Sequence, residues 1–361
     1  MKKLSGSSEL FKNFFKYFSY RFRDTWMRIP VITVISILFV PSIINTGIES
    51  YVDRYLVDGK YAAEGFSRAC PSNLVILLVL VSVLGFIMPI MELSPLNNRK
   101  NLDTLYSFPV NRVSIALAHY LNGLIHIVIP YTASFLSALA VWGKYASLFR
   151  MKYFIGFYFA TLAVSVLTYT FFSFTFSVAN TTVDGTVISL LWIFAMCVPF
   201  LWLAREYDAE YIYTLAANLI AFSPAFFVGY YFDAATSKSP SPSFNDPVLL
   251  DNDCERFVRS MIIWSVIAVL CLIGFYLRYR SRRTETAGEV SSSPFGYSTL
   301  IPLYGVGIPL WIGTHSAIIN AFMIALMITG YTIFRRGFKF KKPDLIVLGV
   351  CSAFLIFGGI V

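Results

Sequence analysis

Reactive side chains are few in this chain and widely spaced. Of three histidines, His119 and His126 lie seven residues apart in "HYLNGLIH", which puts both on one face of a helix. Two imidazoles on an apolar helix suit either a polar pathway through a membrane or hydrogen bonds that lock that helix to its neighbours. No carboxylate lies in the apolar run that carries them, so a metal site there lacks ligands. The five cysteines (Cys70, Cys197, Cys254, Cys271, Cys351) show no CxxC or Cys/His spacing, which argues against zinc. Paired-carboxylate, GxSxG and HExxH motifs are absent. So is G-x-x-x-x-G-K-[ST], so the chain does not hold ATP through a P-loop, and no cofactor is expected on it. Glu92 and Asp184 (in "NTTVDGT") sit at the ends of apolar runs, in the membrane–water interface. Ion-coupled transporters keep acids at mid-membrane depth, so any transport here draws its energy from elsewhere.

The elements that position these residues are membrane helices. The 361 residues are 57% hydrophobic, 17% aromatic and only 14% charged, whereas soluble domains carry about 25% charged residues. Ten apolar runs occur, at Ile29–Asn45, Leu74–Leu93, Val113–Trp142, Tyr153–Ala179, Thr186–Ala204, Tyr211–Phe232, Met261–Leu277, Thr299–Gly313, Ala317–Phe334 and Leu345–Val361. Several reach the ~20 residues that cross a bilayer core. The fold expected is therefore an all-α polytopic membrane protein. Its net charge of +9 reports orientation in a membrane and not nucleic-acid binding.

Before the first run, residues 1–29 form an aromatic, cationic segment. Phe11, Phe14, Phe15, Phe18, Phe22 and Trp26 share one helical face, with Lys12, Lys16, Ser19 and Arg23 on its flank. This predicts an amphipathic helix, either lying in the lipid interface or packed on the protein itself. Both readings put the N-terminus on the cytoplasmic side. The cationic flanks "RYRSRR" and "RRGFKFKK" also fall inside if one run before Met261 fails to cross. Tyr211–Phe232 is that run, broken by Ser223-Pro224 and flanked by acids, and it reads as a re-entrant hairpin entered from outside. This topology places about two thirds of the Lys and Arg inside, with the three cations of "GKYASLFRMK" discordant. The expected organisation is an interface helix (1–29), a six-span module (30–278) with the re-entrant element at 211–232, a cytoplasmic linker (279–298) and about three further membrane segments (299–361).

Between the second and third spans stands "RKNLDTLYSFPVNR". It reads as a short helix from Pro95 to Tyr106, with Leu102, Leu105 and Tyr106 as an apolar edge beside Arg99, Lys100 and Asp103. Pro95 suits a first turn, Pro109 ends the helix, and Asn111 caps the third span, which begins at Arg112. The result is a stiff knuckle joined to two spans, so that a push on it passes into both. A helix edge merely resting on lipid headgroups is the plainer reading.

Glu92, this knuckle and the long span after it together resemble the permeases of ABC transporters of the exporter type 2 class. In that class a charged segment followed by a "YS-P-V-R" turn acts as the coupling helix, and a re-entrant element precedes the sixth span. "RYRSRRTETAGEV" and "FRRGFKFKK" resemble segments of a longer Gram-positive-type, multidrug- and peptide-efflux-like subfamily. Those permeases continue into a large extracellular domain and a further span. The sequence ends at Val361, so nothing about that domain carries over.

The resemblance implies a cell-membrane permease driven by ATP, with a separate ABC ATPase subunit docking at Arg99, Lys100, Asp103, Leu105, Tyr106, Pro109 and Arg112. Glu285 and Gly288 would belong to the second cytoplasmic element. A second permease copy or a paralogue would complete the pathway, surrounded by membrane lipid, and ATP would sit only on the partner. Two other functions fit the composition: an intramembrane enzyme acting on lipid or prenyl substrates, for which His119 and His126 are the candidate residues, and a signalling or immunity protein without transport. Cys70 and Cys254 both fall outside in this topology, as a disulfide or as free thiols.

Overall fold

The computed structural model describes residues 2–58, 71–108, 110–146, 149–207, 210–236, 247–282, 289, 293–312, 317–338 and 340–357. Among them there is no β-strand. In chain order the helices are α1 (Lys2–Thr25), α2 (Arg28–Asp58), α3 (Pro71–Asn97), α4 (Arg99–Tyr106), α5 (Arg112–Lys144), α6 (Lys152–Val178), α7 (Thr182–Ala195), α8 (Val198–Glu206), α9 (Glu210–Asn218), α10 (Ser223–Thr236), α11 (Pro247–Ser281), α12 (Tyr297–Ile312), α13 (Ala317–Arg335) and α14 (Lys342–Phe357).

Seven stretches among the described residues are long and apolar enough to cross a membrane: Arg28–Ser50, Leu74–Asn97, Arg112–Lys144, Lys152–Val178, Thr182–Ala204, Cys254–Ser281 and Ile318–Arg335. Their outward residues are apolar, as with Val31, Val34, Leu38 and Phe39 on α2 and Ile262, Val266, Leu270 and Ile273 on α11. Their buried faces mix apolar side chains with hydroxyls, among them Ser165 on α6 and Ser189 on α7. Apolar residues turned outward, with small polar ones kept between helices, are the arrangement of helices solvated by lipid. The protein is an all-α polytopic membrane protein.

Six of these stretches precede residue 282, and one of the three later segments is of spanning length. The run at 211–232 is not a straight helix. Tyr211–Asn218 and Ser223–Phe232 are bent by 107°. Pro224 lies in the first turn of α10 instead of kinking a continuous helix, a position where its missing N–H leaves no bond unmade. A bend of this kind belongs either to a broken span or to a re-entrant loop.

The helices form two compact units. The first comprises Met1–Leu93, Leu105–Ser173 and Phe222–Arg280. Its core joins Val40 and Ile44 of α2, Leu77 and Val81 of α3, Tyr131, Phe135 and Trp142 of α5, Phe154 and Phe157 of α6, and Val228 and Phe232 of α10. At Gly123 the α5 backbone approaches Tyr169 of α6 so closely that a Cβ there would strike the phenol ring. Tyr169 Oη donates to the Tyr120 carbonyl across 3.0 Å at the same place. The second unit comprises Ser94–Thr104, Phe174–Ala221 and Ser281–Val361. There α12 packs on α13 and α14, with Gly305 against Met327 and Gly330 against Ile301.

Candidate functional site

The knuckle forms, but later in the chain than the sequence suggests. α3 continues through Pro95 to Asn97, and α4 starts at Arg99. The residue that separates them is Asn98, whose side-chain oxygen accepts from the Lys100 amide at 3.1 Å, the geometry of an N-cap. Its carbonyl accepts from the Leu102 amide at 2.9 Å. A cap of this strength outweighs Pro95, which the end of α3 simply absorbs. Eight residues are too few for a stable isolated helix, and Leu102, entirely buried, supplies the packing that holds this one.

Arg99, Lys100 and Asp103 are exposed on α4, and Leu105 is half-buried. Tyr106 is its last residue, and Pro109 lies outside the described residues. The chain then turns tightly, Val110 donating to the Phe108 carbonyl at 2.7 Å. Asn111 caps α5 as expected, accepting from the Val113 amide at 3.4 Å. Arg112 is the exposed first residue of that helix.

The root of the knuckle is fixed within the second unit. Asn97 accepts from Arg282 Nη2 at 2.8 Å and donates to the Thr181 carbonyl at 3.4 Å. The Ser94 and Thr182 hydroxyls are 3.0 Å apart. Thr181 caps α7 by accepting from the Asp184 amide at 3.1 Å, and Asp184 accepts from the Tyr297 hydroxyl at 3.2 Å. Glu285 and Gly288 lie outside the described residues.

Within the first unit, the residues on either side of the knuckle meet α1. Tyr17, Arg21 and Thr25 form one buried stripe of α1. It faces His119, Asn122 and His126, which form one buried stripe of α5. Glu92 lies between them, fully enclosed by protein near the end of α3. Its Oε1 accepts from Arg28 Nη1 at 2.7 Å. Its Oε2 accepts from Asn122 Nδ2 at 3.0 Å and from Arg21 Nη2 at 3.3 Å. Arg21 also pairs with Asp24 at 3.0 Å, so two guanidiniums face two carboxylates. Burying a charge is tolerated only with such pairing.

Both candidate histidines are built into this network. His119 Nδ1 lies 2.7 Å from the Glu92 carbonyl oxygen, so it carries the proton and donates, leaving Nε2 to accept from the Tyr17 hydroxyl at 2.9 Å. His126 Nδ1 lies 2.7 Å from the Asn122 carbonyl and Nε2 3.1 Å from that of Thr25. Past the knuckle, the Phe108 ring packs on Tyr17 and Tyr20, with centroids 5.8 and 6.1 Å away. Burial pushes the Tyr17 hydroxyl up to about 12 from its ordinary 10.0.

These contacts bolt α1, α3 and α5 together. Glu92 already accepts three hydrogen bonds, both ring nitrogens of His119 are engaged, and each nitrogen of His126 faces a backbone carbonyl, to one of which the neutral ring donates. Among the described residues there is no group of three or more His, Cys, Asp and Glu able to hold a metal ion. Cys254 is a half-buried free thiol, and Cys70 lies outside the described residues.

Phe14, Phe18 and Phe22 are half-buried along the helix edge while Phe15 and Trp26 are exposed, and Lys12, Lys16, Ser19 and Arg23 of the flank are exposed. The Tyr17/Arg21/Thr25 stripe lies outside both the aromatic face and that flank, and the sequence alone does not single it out. The signal that reveals it is the match between two polar stripes at helical spacing and an acid in an otherwise apolar run. Compared with known proteins, the chain matches no family model, no curated protein and no solved structure.

Proposed function

We propose that this chain is the membrane-spanning permease subunit of an ATP-driven ABC exporter. A separate ATPase subunit would dock on α4, and its hydrolysis would drive efflux of an amphipathic or hydrophobic substrate through the cell membrane, with the N-terminus cytoplasmic. The observation that carries this reading is the knuckle. A short helix turns its charged side chains outward and its leucines inward, and joins two spans with one residue of slack before it. A partner moving α4 would move α3 and α5 directly, because Asn97, Glu92 and Phe108 fix both of its ends.

The enzymatic alternative finds less support. His119 spends both nitrogens on structural hydrogen bonds, and His126 is enclosed between two backbone carbonyls. General acid–base chemistry needs a titratable group within reach of a substrate. In the proposed assembly a second copy or a paralogue completes the transport pathway, and ATP is bound by the partner alone.

The test is site-specific crosslinking in membranes of the native host. A photoreactive residue in place of Lys100 should capture an ATP-hydrolysing subunit. The same residue in place of Val266, on the lipid side of α11, should not. Failure of Lys100 to capture such a subunit, with the chain present at normal level, would count against the proposal.

A further inference from the structure

A compact basic tip separates α13 from α14 in the second unit. Arg336 is the only non-glycine residue with positive φ among the described residues, at 52°. It closes α13 as a Schellman motif. The Gly337 amide donates to the Thr332 carbonyl at 3.0 Å, and the Arg336 amide to that of Ile333 at 3.1 Å. Glycine normally takes the position Arg336 holds, because a side chain there costs about 1–2 kcal/mol. Here glycine is one residue further on, so the turn presents a cation where the backbone would prefer none.

The remaining contacts make the tip rigid. Arg335 Nε and Nη2 donate to the two Asp344 oxygens at 2.7 Å each, and the Lys341 amide donates to Asp344 at 3.1 Å. The Arg335 guanidinium holds the Asp344 carboxyl below its ordinary range. Asp344 is the only acid between residues 335 and 344, and it is spent inside the turn. Arg336, Lys341 and Lys342 are exposed. Beside them Phe338 is 80% exposed. None of these three cations has an ion pair among the described residues.

Position decides what such a tip can meet. The candidate span ends at Arg335, and a helix crossing there would bring Arg336, Lys341 and Lys342 to the layer of lipid headgroups. Three exposed cations whose one neighbouring acid, Asp344, is taken up by Arg335 are complementary to lipid phosphates, and an exposed phenyl ring among them suits the acyl boundary just below. We propose that this tip is a docking site for anionic lipid, with Arg336, Lys341 and Lys342 binding headgroup phosphates and Phe338 inserted between the lipids. The site is independent of the knuckle and of any ATPase.

Nanodiscs test it with the full chain. Discs of phosphatidylcholine alone are compared with discs containing phosphatidylglycerol, and the lipids retained on mild detergent extraction are counted by native mass spectrometry. A cation near an anionic surface strengthens binding about fivefold. Wild type should therefore retain phosphatidylglycerol over phosphatidylcholine, and the triple variant R336Q/K341Q/K342Q should lose about tenfold or more of that preference. Phe338→Ser should weaken retention of both lipids. An unchanged melting temperature in phosphatidylcholine discs confirms that the variants are folded. The proposal is overturned if wild type shows no preference, or if the triple variant keeps it. It is also overturned if K12Q/K16Q on α1 loses as much, since that would be a general charge effect. Loss of a bound protein with lipid preference intact would assign the tip to that protein instead.

Discussion

Arg28 Nη1 and Glu92 Oε1 lie 2.7 Å apart, and the carboxylate is wholly enclosed. Arg28 opens α2 and Glu92 sits six residues before α4 begins to form its cap, so this pair ties the start of the first span to the end of the second. Arg21 approaches the other carboxylate oxygen from α1. Helix α1, the first two candidate spans and the third, through Asn122, thus converge on one acid. In a transporter this would make α1 a brace against which the knuckle is moved.

Removing one partner from a buried ion pair leaves an uncompensated charge. Arg28→Ala should therefore destabilise the chain by about 3 kcal/mol, read as a lower unfolding temperature in detergent. Glu92→Ala should cost at least as much, because it strands two guanidiniums and Asn122. The double variant should recover part of the loss and not all of it, since Arg21 still faces the site. Additive losses in the double variant would show that Arg28 and Glu92 do not interact.

Tyr17 links stability to alkaline pH. Its folded-state value is raised by burial to about 12 from 10.0, so the folded chain holds this proton more tightly than the unfolded chain. The resulting stability is complete below pH 10 and falls as pH rises from 10 toward 12. Tyr17→Phe removes that contribution and also the donor to His119 Nε2. Its unfolding temperature should be lower than that of wild type at pH 8, and the gap should narrow between pH 10 and 12. A gap that stays constant across the window would place Tyr17 in solvent.

Gly123 is the close approach of α5 to α6. Gly123→Ala drives a methyl group into the Tyr169 hydroxyl, which should cost about 1–3 kcal/mol. Adding Tyr169→Phe removes the atom first struck and should return part of the stability, even though it gives up the bond to the Tyr120 carbonyl. If Tyr169→Phe only adds its own cost, the two helices are further apart than described.

Much of this architecture was legible because lipid leaves the sequence few options. An apolar run of about 20 residues has to be a helix in the membrane, and a Ser-Pro pair inside a run marks a break. Asn111 as the cap of α5 followed from its position before a long run. The start of α4 did not, because Pro95 and Asn98 offer competing starts and only the packing of Leu102 decides between them. The anchoring network was least legible. Arg21 and Thr25 belong to neither the aromatic face nor its cationic flank, and their burial depends on Glu92 and Asn122, far away in sequence. The histidines were found by spacing alone, but whether they react or only hold depends on what occupies their second nitrogens.

The central claim is that a separate ATPase acts through α4. It is tested most directly by purifying the chain from native membranes under conditions that keep bound subunits, and measuring associated ATP hydrolysis with wild-type chain and with Asp103→Ala. Asp103 is exposed and belongs to neither the core nor the anchoring network, so the variant should assemble in the membrane at normal level. The account predicts that wild type carries the ATPase and that the variant loses about tenfold of the associated hydrolysis. A wild-type chain that carries no ATPase, or a variant with full hydrolysis alongside full hydrolysis in Arg99→Ala and Lys100→Ala, would contradict it.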